Sequence, residues 1–99
     1  MRLIDGRQAR AARVILGMTV AEMATAAGID RKSVLRVEHM KGIRINRMGS
    51  GGYGVDSLAR AIEERGIICD VIDRQPIVRF STTAPPPKYR RRKPVEMPD

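Results

Sequence analysis

The stretch from residue 19 to residue 38, TVAEMATAAGIDRKSVLRVE, decides the fold that the sequence predicts. Thr19 and Glu22 have the spacing of a capping box, and Gly28 stands where a first short helix would end. Asp30 can cap a second helix immediately afterwards. The stretch therefore predicts two short helices joined by a tight turn, which is the outline of a helix-turn-helix.

Apolar residues within this stretch recur at helical spacing, so each helix has one inward face. Ala24 is small enough for the two helices to cross closely, and Ile29 is a single apolar plug in the turn. The second helix is expected to run to about Met40 and to stop at Gly42. The predicted inward positions are Val20, Met23, Ala24 and Ala27 in the first helix, and Val34 and Val37 in the second.

A further helix is predicted on each side of this pair. The upstream helix starts at Asp5, with Gln8 reaching back to complete a capping box, and runs to about Leu16 before Gly17. The downstream helix is expected to be capped by Asp56 and to end at Gly66. The predicted buried stripes are Ala9, Ala12 and Leu16 upstream, and Val55, Leu58, Ala59 and Ile62 downstream.

The periodicity of the apolar residues changes in the C-terminal third. The β-branched runs 67–72 and 77–80, separated by Asp-Arg-Gln-Pro, predict a β-hairpin over residues 67–80. Residues 81–99 carry three consecutive prolines and a basic run, which predicts a disordered, Pro-rich basic tail. The expected architecture is mainly α, with one four-helix domain over residues 1–80 that ends in the hairpin.

Composition limits the possible functions. The net charge of +8 favours an anionic partner, nucleic acid before membrane. Cys69 and His39 are the only residues of their kinds, so the sequence predicts no intramolecular disulfide and no Cys/His zinc site. It also shows no secretory signal pattern and no apolar run long enough to span a membrane, so a cytoplasmic location is expected.

The second helix of the central pair carries the basic residues. Arg31, Lys32 and Arg36 are expected on its exposed side, where arginine and lysine can bind guanine O6 and N7 in the major groove. The alternative is an ordinary helical bundle whose basic face is solvated and has no binding role.

Two charges fall on faces that should be buried. Arg13 lies on the inward stripe of the first helix, and Glu38 follows Val34 by one helical turn. Because an unpaired buried charge is costly, we expect an Arg13–Glu38 ion pair that orients the basic helix rather than adding net stability. The alternative is two separately solvated charges.

The segment Ile4–Lys41 resembles the phage repressor/Cro-like family, also called the xenobiotic response element family, of helix-turn-helix regulators. The matching motifs are RAARVILG at 10–17, TVAEMA at 19–24, AGI at 27–29 and SVLRVE at 33–38. The resemblance implies a lambda-repressor-like DNA-binding domain and the Arg13–Glu38 pair. It assigns base reading to Arg31, Lys32, Ser33 and Arg36, and phosphate binding to Thr19, Val20, His39, Lys41, Arg44 and Arg47.

One position departs from the family pattern. Members usually carry glutamine after the helix cap, where it holds a phosphate and the first recognition residue, but this chain has Val20. Thr19 and the helix N-terminus can still meet a phosphate.

Other signals are weaker. Gly49, Gly51 and Gly54 satisfy G-x-G-x-x-G but lack the preceding strand of a dinucleotide site, so a flexible loop is expected. His39 is expected either to contact a phosphate or to be plain surface. The tail residues Arg90, Arg91 and Arg92 are expected to form either a DNA arm or a solubilising or partner-binding tail.

The sequence thus predicts a double-stranded DNA-binding transcriptional regulator, most simply a repressor of its own expression, acting as a homodimer. The strand edges at 67–80 and the surface of the fourth helix are the candidate dimer contacts. The alternative is an antitoxin-type protein that represses its own operon and binds a partner protein. An RNA-binding module is disfavoured by the lack of stacking aromatic residues. No enzyme activity, metal or cofactor is expected.

Overall fold

The computed structural model describes residues 1–43 and 54–81. It contains α1 (Gly6–Ile15), α2 (Val20–Ala27), α3 (Arg31–Glu38), α4 (Val55–Glu64), β1 (Ile67–Ile72) and β2 (Gln75–Phe80). The prediction of four helices followed by an antiparallel hairpin is confirmed. The predicted tail beyond Ser81 and most of the predicted loop before α4 lie outside the described residues.

The N-terminal caps of α1, α2 and α3 are those that the sequence predicts. Asp5 and Gln8 form a complete capping box on α1, and Thr19 and Glu22 form another on α2. Asp30 caps α3 by accepting a hydrogen bond from the Ser33 N–H. Each cap joins residues within one turn of chain, so the sequence pattern is sufficient to define it.

The predicted boundaries of the last two helices were partly wrong. Asp56 does not cap α4, because Gly54 occupies the N-cap position with φ of 74° and makes no side-chain cap. Asp56 lies instead in the first turn, where a carboxylate still complements the helix dipole. Ala61 is buried in α4, whereas Ala59 is only half-buried. The third helix ends at Glu38 with His39 as its C-cap, rather than at about Met40.

The hairpin has a tighter turn than the sequence predicts. Ile72 pairs with Gln75, so only Asp73 and Arg74 connect the strands. Both have positive φ, 51° and 63°, as a two-residue type I′ turn requires. The predicted four-residue connection is therefore wrong, and Pro76 lies inside β2.

The core forms where the helices pack on one another and on the inner face of the hairpin. α1 contacts α3, α4 and both strands, while α2 packs between α3 and α4. The largest fully buried side chains are Met23, Leu58, Ile62, Ile67, Val34, Val37 and Cys69. The turn between α2 and α3 reaches the start of α4, because a Cβ on Gly54 would lie 3.2 Å from the Ile29 side chain.

The start of α1 passes directly over the end of α3. A Cβ on Gly6 would collide with the Val37 carbonyl oxygen and would lie 2.7 Å from that of Glu38. The Gly6 N–H also donates to the Met40 carbonyl at 2.9 Å. Only glycine permits this contact, which fixes α3 relative to α1.

Gln8 joins α1 to the hairpin. Its side chain is buried, and its Nε2 donates to the carbonyls of Asp70 at 2.9 Å and Ile77 at 3.0 Å. Its Oε1 accepts from the Ile4 and Asp5 N–H groups. One amide therefore holds the N-terminal segment, α1 and both strands together.

Candidate nucleic-acid interface

The α3 helix has one buried face and one exposed face. Val34 and Val37 are fully buried, and Glu38 is 7% exposed beside them. Opposite them, four residues spaced i, i+3, i+4 and i+7 form what we call the α3 outer face: Lys32, Leu35, Arg36 and His39. Arg31 is also exposed and borders this face one turn before Leu35.

Leu35 was missed by the sequence interpretation. Its side chain is 42% exposed, although leucine in a small protein is usually placed in the core. The helical spacing from Lys32 and His39 could have revealed it. An exposed aliphatic group between cations can contact a thymine methyl, which is the apolar feature of the major groove.

The structure limits the access of Ser33 to a base, although the sequence predicts that it reads one. Ser33 is half-buried, and its N–H donates to Asp30 Oδ1 at 2.7 Å. Hydrogen bonds from the Ser33 side chain and backbone lower the pKa of Asp30, and Arg36 and Lys32 lower it further. The start of α3 is therefore held by an ionised cap, and Ser33 serves that cap.

Arg13 and Glu38 form the ion pair expected from their positions. Arg13 Nε lies 2.7 Å from Glu38 Oε2, and Arg13 Nη2 lies 3.1 Å from Oε1. The Glu38 side chain is 4% exposed and that of Arg13 17%. This bidentate contact with Glu38 raises the pKa of Arg13. The pair connects the last turns of α1 and α3.

Arg13 also bonds to the start of the central helix pair. Its Nη1 donates to the Met18 carbonyl at 3.0 Å, immediately before the Thr19 cap. One guanidinium group thus joins α1, the entry to α2 and the inner side of α3.

The predicted phosphate contacts at the start of α2 have a negative neighbour. Thr19 is exposed, but its Oγ1 accepts from the Glu22 N–H at 3.1 Å, while Glu22 Oε1 accepts from the Thr19 N–H at 3.0 Å. The Glu22 carboxylate thus lies at the end of the helix that would otherwise attract an anion. Val20 is half-buried against the core, so only its backbone can reach a phosphate.

The remaining phosphate candidates lie at the end of α3 or beyond the described residues. His39 is exposed, and its Nδ1 lies 2.7 Å from the Leu35 carbonyl oxygen. A carbonyl can only accept, so Nδ1 carries a proton, and Nε2 can donate to a phosphate only when the ring is doubly protonated. Lys41 is exposed nearby. The candidates Arg44 and Arg47, and the arm residues Arg90, Arg91 and Arg92, lie outside the described residues.

Other chemistry has little support in the part of the chain that the structure describes. Burial raises the pKa of the Cys69 thiol to about 11, so this thiol is not a nucleophile at neutral pH. Residues 1–43 and 54–81 contain no cluster of three His, Cys, Asp or Glu side chains able to hold a metal ion. Within the same ranges, each helix is too short or too polar to cross a bilayer.

Comparisons of the chain with protein-family models, with curated proteins and with solved structures found no match. The resemblance of Ile4–Lys41 to Cro-like regulators therefore depends on its motifs alone.

Proposed function

We propose that the protein is a sequence-specific double-stranded DNA-binding regulator that places α3 in the major groove. The observation that carries the proposal is the α3 outer face, where basic side chains surround an exposed leucine on a helix whose opposite face is buried. This chemistry suits base edges, because cations bind guanine O6 and N7 and an aliphatic group contacts thymine.

The support beneath α3 favours the same function. Reading bases requires side chains to be held on a rigid element. The Asp30 cap fixes the beginning of α3, and the Arg13–Glu38 pair fixes its end. The Gly6 contact sets its distance from α1. A basic face with only a solubilising role would need none of this support.

The electrostatic balance supports a polyanionic partner. The net charge is +8, and the exposed cations Arg31, Lys32 and Lys41 accompany α3. Phosphate contacts give affinity for any duplex, while the α3 outer face would supply discrimination. The Glu22 carboxylate disfavours a phosphate at the start of α2. We therefore expect the DNA backbone to be bound near the end of α3.

The experiment is selection of binding sites from random duplex DNA, followed by affinity measurements on the selected site. We expect Lys32→Ala and Arg31→Ala to cost about 1–3 kcal/mol each and to relax preference at particular base pairs. Leu35→Ala should relax a preference for thymine. Arg60→Ala is the matched control, because it removes one exposed charge from α4.

Two results would count against the proposal. One is a selection that enriches no sequence. The other is an Arg60→Ala loss equal to that of the α3 variants, which would indicate attraction by net charge alone. If Arg31→Ala weakens all duplexes uniformly, Arg31 contacts the backbone rather than a base.

A further inference from the structure

A cleft opens between the start of α1 and the end of α3. Its volume is about 430 Å³, which falls within the range of small-molecule sites in proteins. Asp5, Arg7 and Arg10 line one side, and residues 38–41 line the other. We call it the α1–α3 cleft.

The backbone contact between the two helices brings these residues together. The Gly6 N–H donates to the Met40 carbonyl at 2.9 Å. Arg7 and Arg10 follow Gly6 in α1 and are three residues apart, so they share one face of the helix. The Gly6 contact therefore holds that face beside the residues at the end of α3.

Both carboxylates of the cleft are already paired. The Asp5 side chain is 8% exposed, and its two oxygens accept from Arg7 Nε and Nη2, each at 3.1 Å. The Glu38 side chain is 4% exposed and is bound by Arg13. Because each carboxylate has an arginine of its own, neither neutralises the other cations of the cleft.

Two cations of the cleft are left without a carboxylate. Arg10 and Lys41 are exposed, and neither makes an ion pair with another residue in the ranges 1–43 and 54–81. An arginine can offer two parallel N–H groups to a phosphate, and a lysine adds a point charge. His39 lines the same cleft and presents Nε2, since its Nδ1 is bonded to the Leu35 carbonyl oxygen at 2.7 Å.

The backbone at the start of α1 is not available to a ligand. The Arg7 N–H donates to Asp5 Oδ1 at 2.8 Å, and the Gln8 N–H donates to the Asp5 carbonyl at 3.0 Å. The Gly6 N–H is used by Met40. An anion in this cleft would therefore be bound by side chains rather than by the end of the helix.

The cleft also has an apolar wall. Met40 is half-buried, packs against the core and lines the cleft between its charged residues. A methionine side chain adapts to irregular surfaces and makes favourable contacts with aromatic rings. The cleft can thus contact the uncharged part of a ligand as well as its phosphate.

We propose that the α1–α3 cleft binds a small organic phosphate, such as a nucleoside monophosphate, which competes with DNA for the end of α3. Arg10 and Lys41 hold the phosphate, and Met40 contacts the uncharged part of the molecule. The competition rests on the proposed function, because Lys41 is there expected to contact the DNA backbone and His39 belongs to the α3 outer face. The ligand would then release the protein from its duplex site.

The shape of the site favours a small molecule over the duplex itself. Small ligands are bound in concave sites with a few convergent polar groups. A duplex presents its phosphates on a convex surface and reaches cations that project from the protein. Arg10 lies on the α1 side of the cleft and has no part in the proposed DNA contacts.

The first test is an NMR titration of the ¹⁵N-labelled full chain with adenosine 5′-monophosphate, without DNA and at constant ionic strength. We expect the amide signals of Arg10 and Lys41 to shift and saturate, with a dissociation constant of about 1 mM or below. Adenosine, which lacks the phosphate, should cause no such shift. Inorganic phosphate should bind more weakly than the nucleotide, because it cannot contact Met40.

Variants show whether the binding is local. Arg10→Gln and Lys41→Gln should each raise the dissociation constant about tenfold, which is about 1.4 kcal/mol. Both side chains are exposed and unpaired among the described residues, so the fold should be retained, and the spectrum itself reports this. Arg60→Gln is the matched control, since it removes one exposed charge from α4 and should leave the affinity unchanged.

The second test measures competition by fluorescence anisotropy on the selected duplex. At ten times its own dissociation constant, adenosine 5′-monophosphate should raise the apparent dissociation constant of the wild type for the duplex about tenfold. Potassium chloride at the same ionic strength is the reference, because any salt weakens duplex binding. In Arg10→Gln, the nucleotide should have no more effect than the chloride.

Several results would overturn the proposal. Shifts that do not saturate by about 10 mM nucleotide, or equal losses in Arg10→Gln and Arg60→Gln, would show attraction by net charge alone. If Arg10→Gln weakens duplex binding in a chain that does not bind the nucleotide, these cations hold the DNA backbone instead. Nucleotide binding without competition would refute the regulatory role. A chain that binds the nucleotide but selects no duplex would refute the proposed function and leave this site standing.

Discussion

At the scale of single residues, the most informative feature is the contact between Arg13 and Glu38. Both lie on otherwise apolar faces, and burial of either charge alone would be costly. Their bidentate contact satisfies both, and it positions the inner side of the helix that we propose reads DNA. A well-packed apolar pair could match its stability, so we expect its role to be orientation.

This expectation can be tested with a double-mutant cycle. Arg13→Met should destabilise the protein by about 3 kcal/mol, because it leaves the Glu38 carboxylate buried without a partner. Adding Glu38→Leu should recover most of that loss in urea denaturation, whereas affinity for the selected duplex should stay reduced.

The control for this cycle is Arg79→Met, which breaks the surface pair of Arg79 with Asp70 at 3.4 Å. The two side chains are 47% and 30% exposed, so little change in stability is expected. If Arg13→Met is as stable as the wild type and binds DNA equally well, the pair has neither role.

At the scale of elements, α3 depends on its cap. Asp30 stands in extended backbone with φ of −83° and ψ of 165°, and its carboxylate accepts the Ser33 N–H. The helix spans 8 residues, which is too short to be stable by propensity alone. Its start is therefore sensitive to the charge of this side chain.

The cap gives a pH dependence of known sign. The pKa of Asp30 is lowered in the folded protein, so its contribution to stability is complete above the unfolded value of 3.8. That contribution is lost as pH falls through the folded value. Asp30→Asn keeps a good N-cap without the titration, so its melting temperature should fall less than that of the wild type between about pH 6 and pH 3.

Asp30→Ala provides the comparison for this experiment. It removes the cap at every pH, so its melting temperature should be lower than that of Asp30→Asn throughout. If the melting temperatures of the wild type and of Asp30→Asn fall by the same amount across this pH range, the cap does not titrate.

At the scale of the whole molecule, the charge of +8 predicts a steep salt dependence of duplex binding. If four to six cations contact phosphates, log K should fall against log salt with a slope of about −4 to −5 per protomer. Lys41→Ala should reduce the magnitude of the slope by about one and leave sequence preference unchanged. A slope near zero would exclude electrostatic binding.

The sequence could predict features that are set within a few residues. The Asp5, Thr19 and Asp30 caps, and the inward faces of α2 and α3, follow from spacing within one or two turns. The type I′ turn was missed because Asp73-Arg74 lacks the glycine that usually marks it. Asp56 was misplaced because Gly54, with positive φ, ends the loop and begins α4 without a side-chain cap.

What the sequence alone determined is where α1, α2 and α3 begin, which faces of α2 and α3 turn inward and that Arg13 and Glu38 need each other, because these depend on local spacing and on the cost of burying charge. Only the tertiary structure decided that Gly6 must be glycine, that Leu35 stays exposed and that a groove separates β2 from α1. Those properties arise where distant parts of the chain meet or fail to meet, and no local pattern encodes them. The physical reason is that burial and pairing are properties of the packed molecule rather than of a residue and its neighbours in sequence.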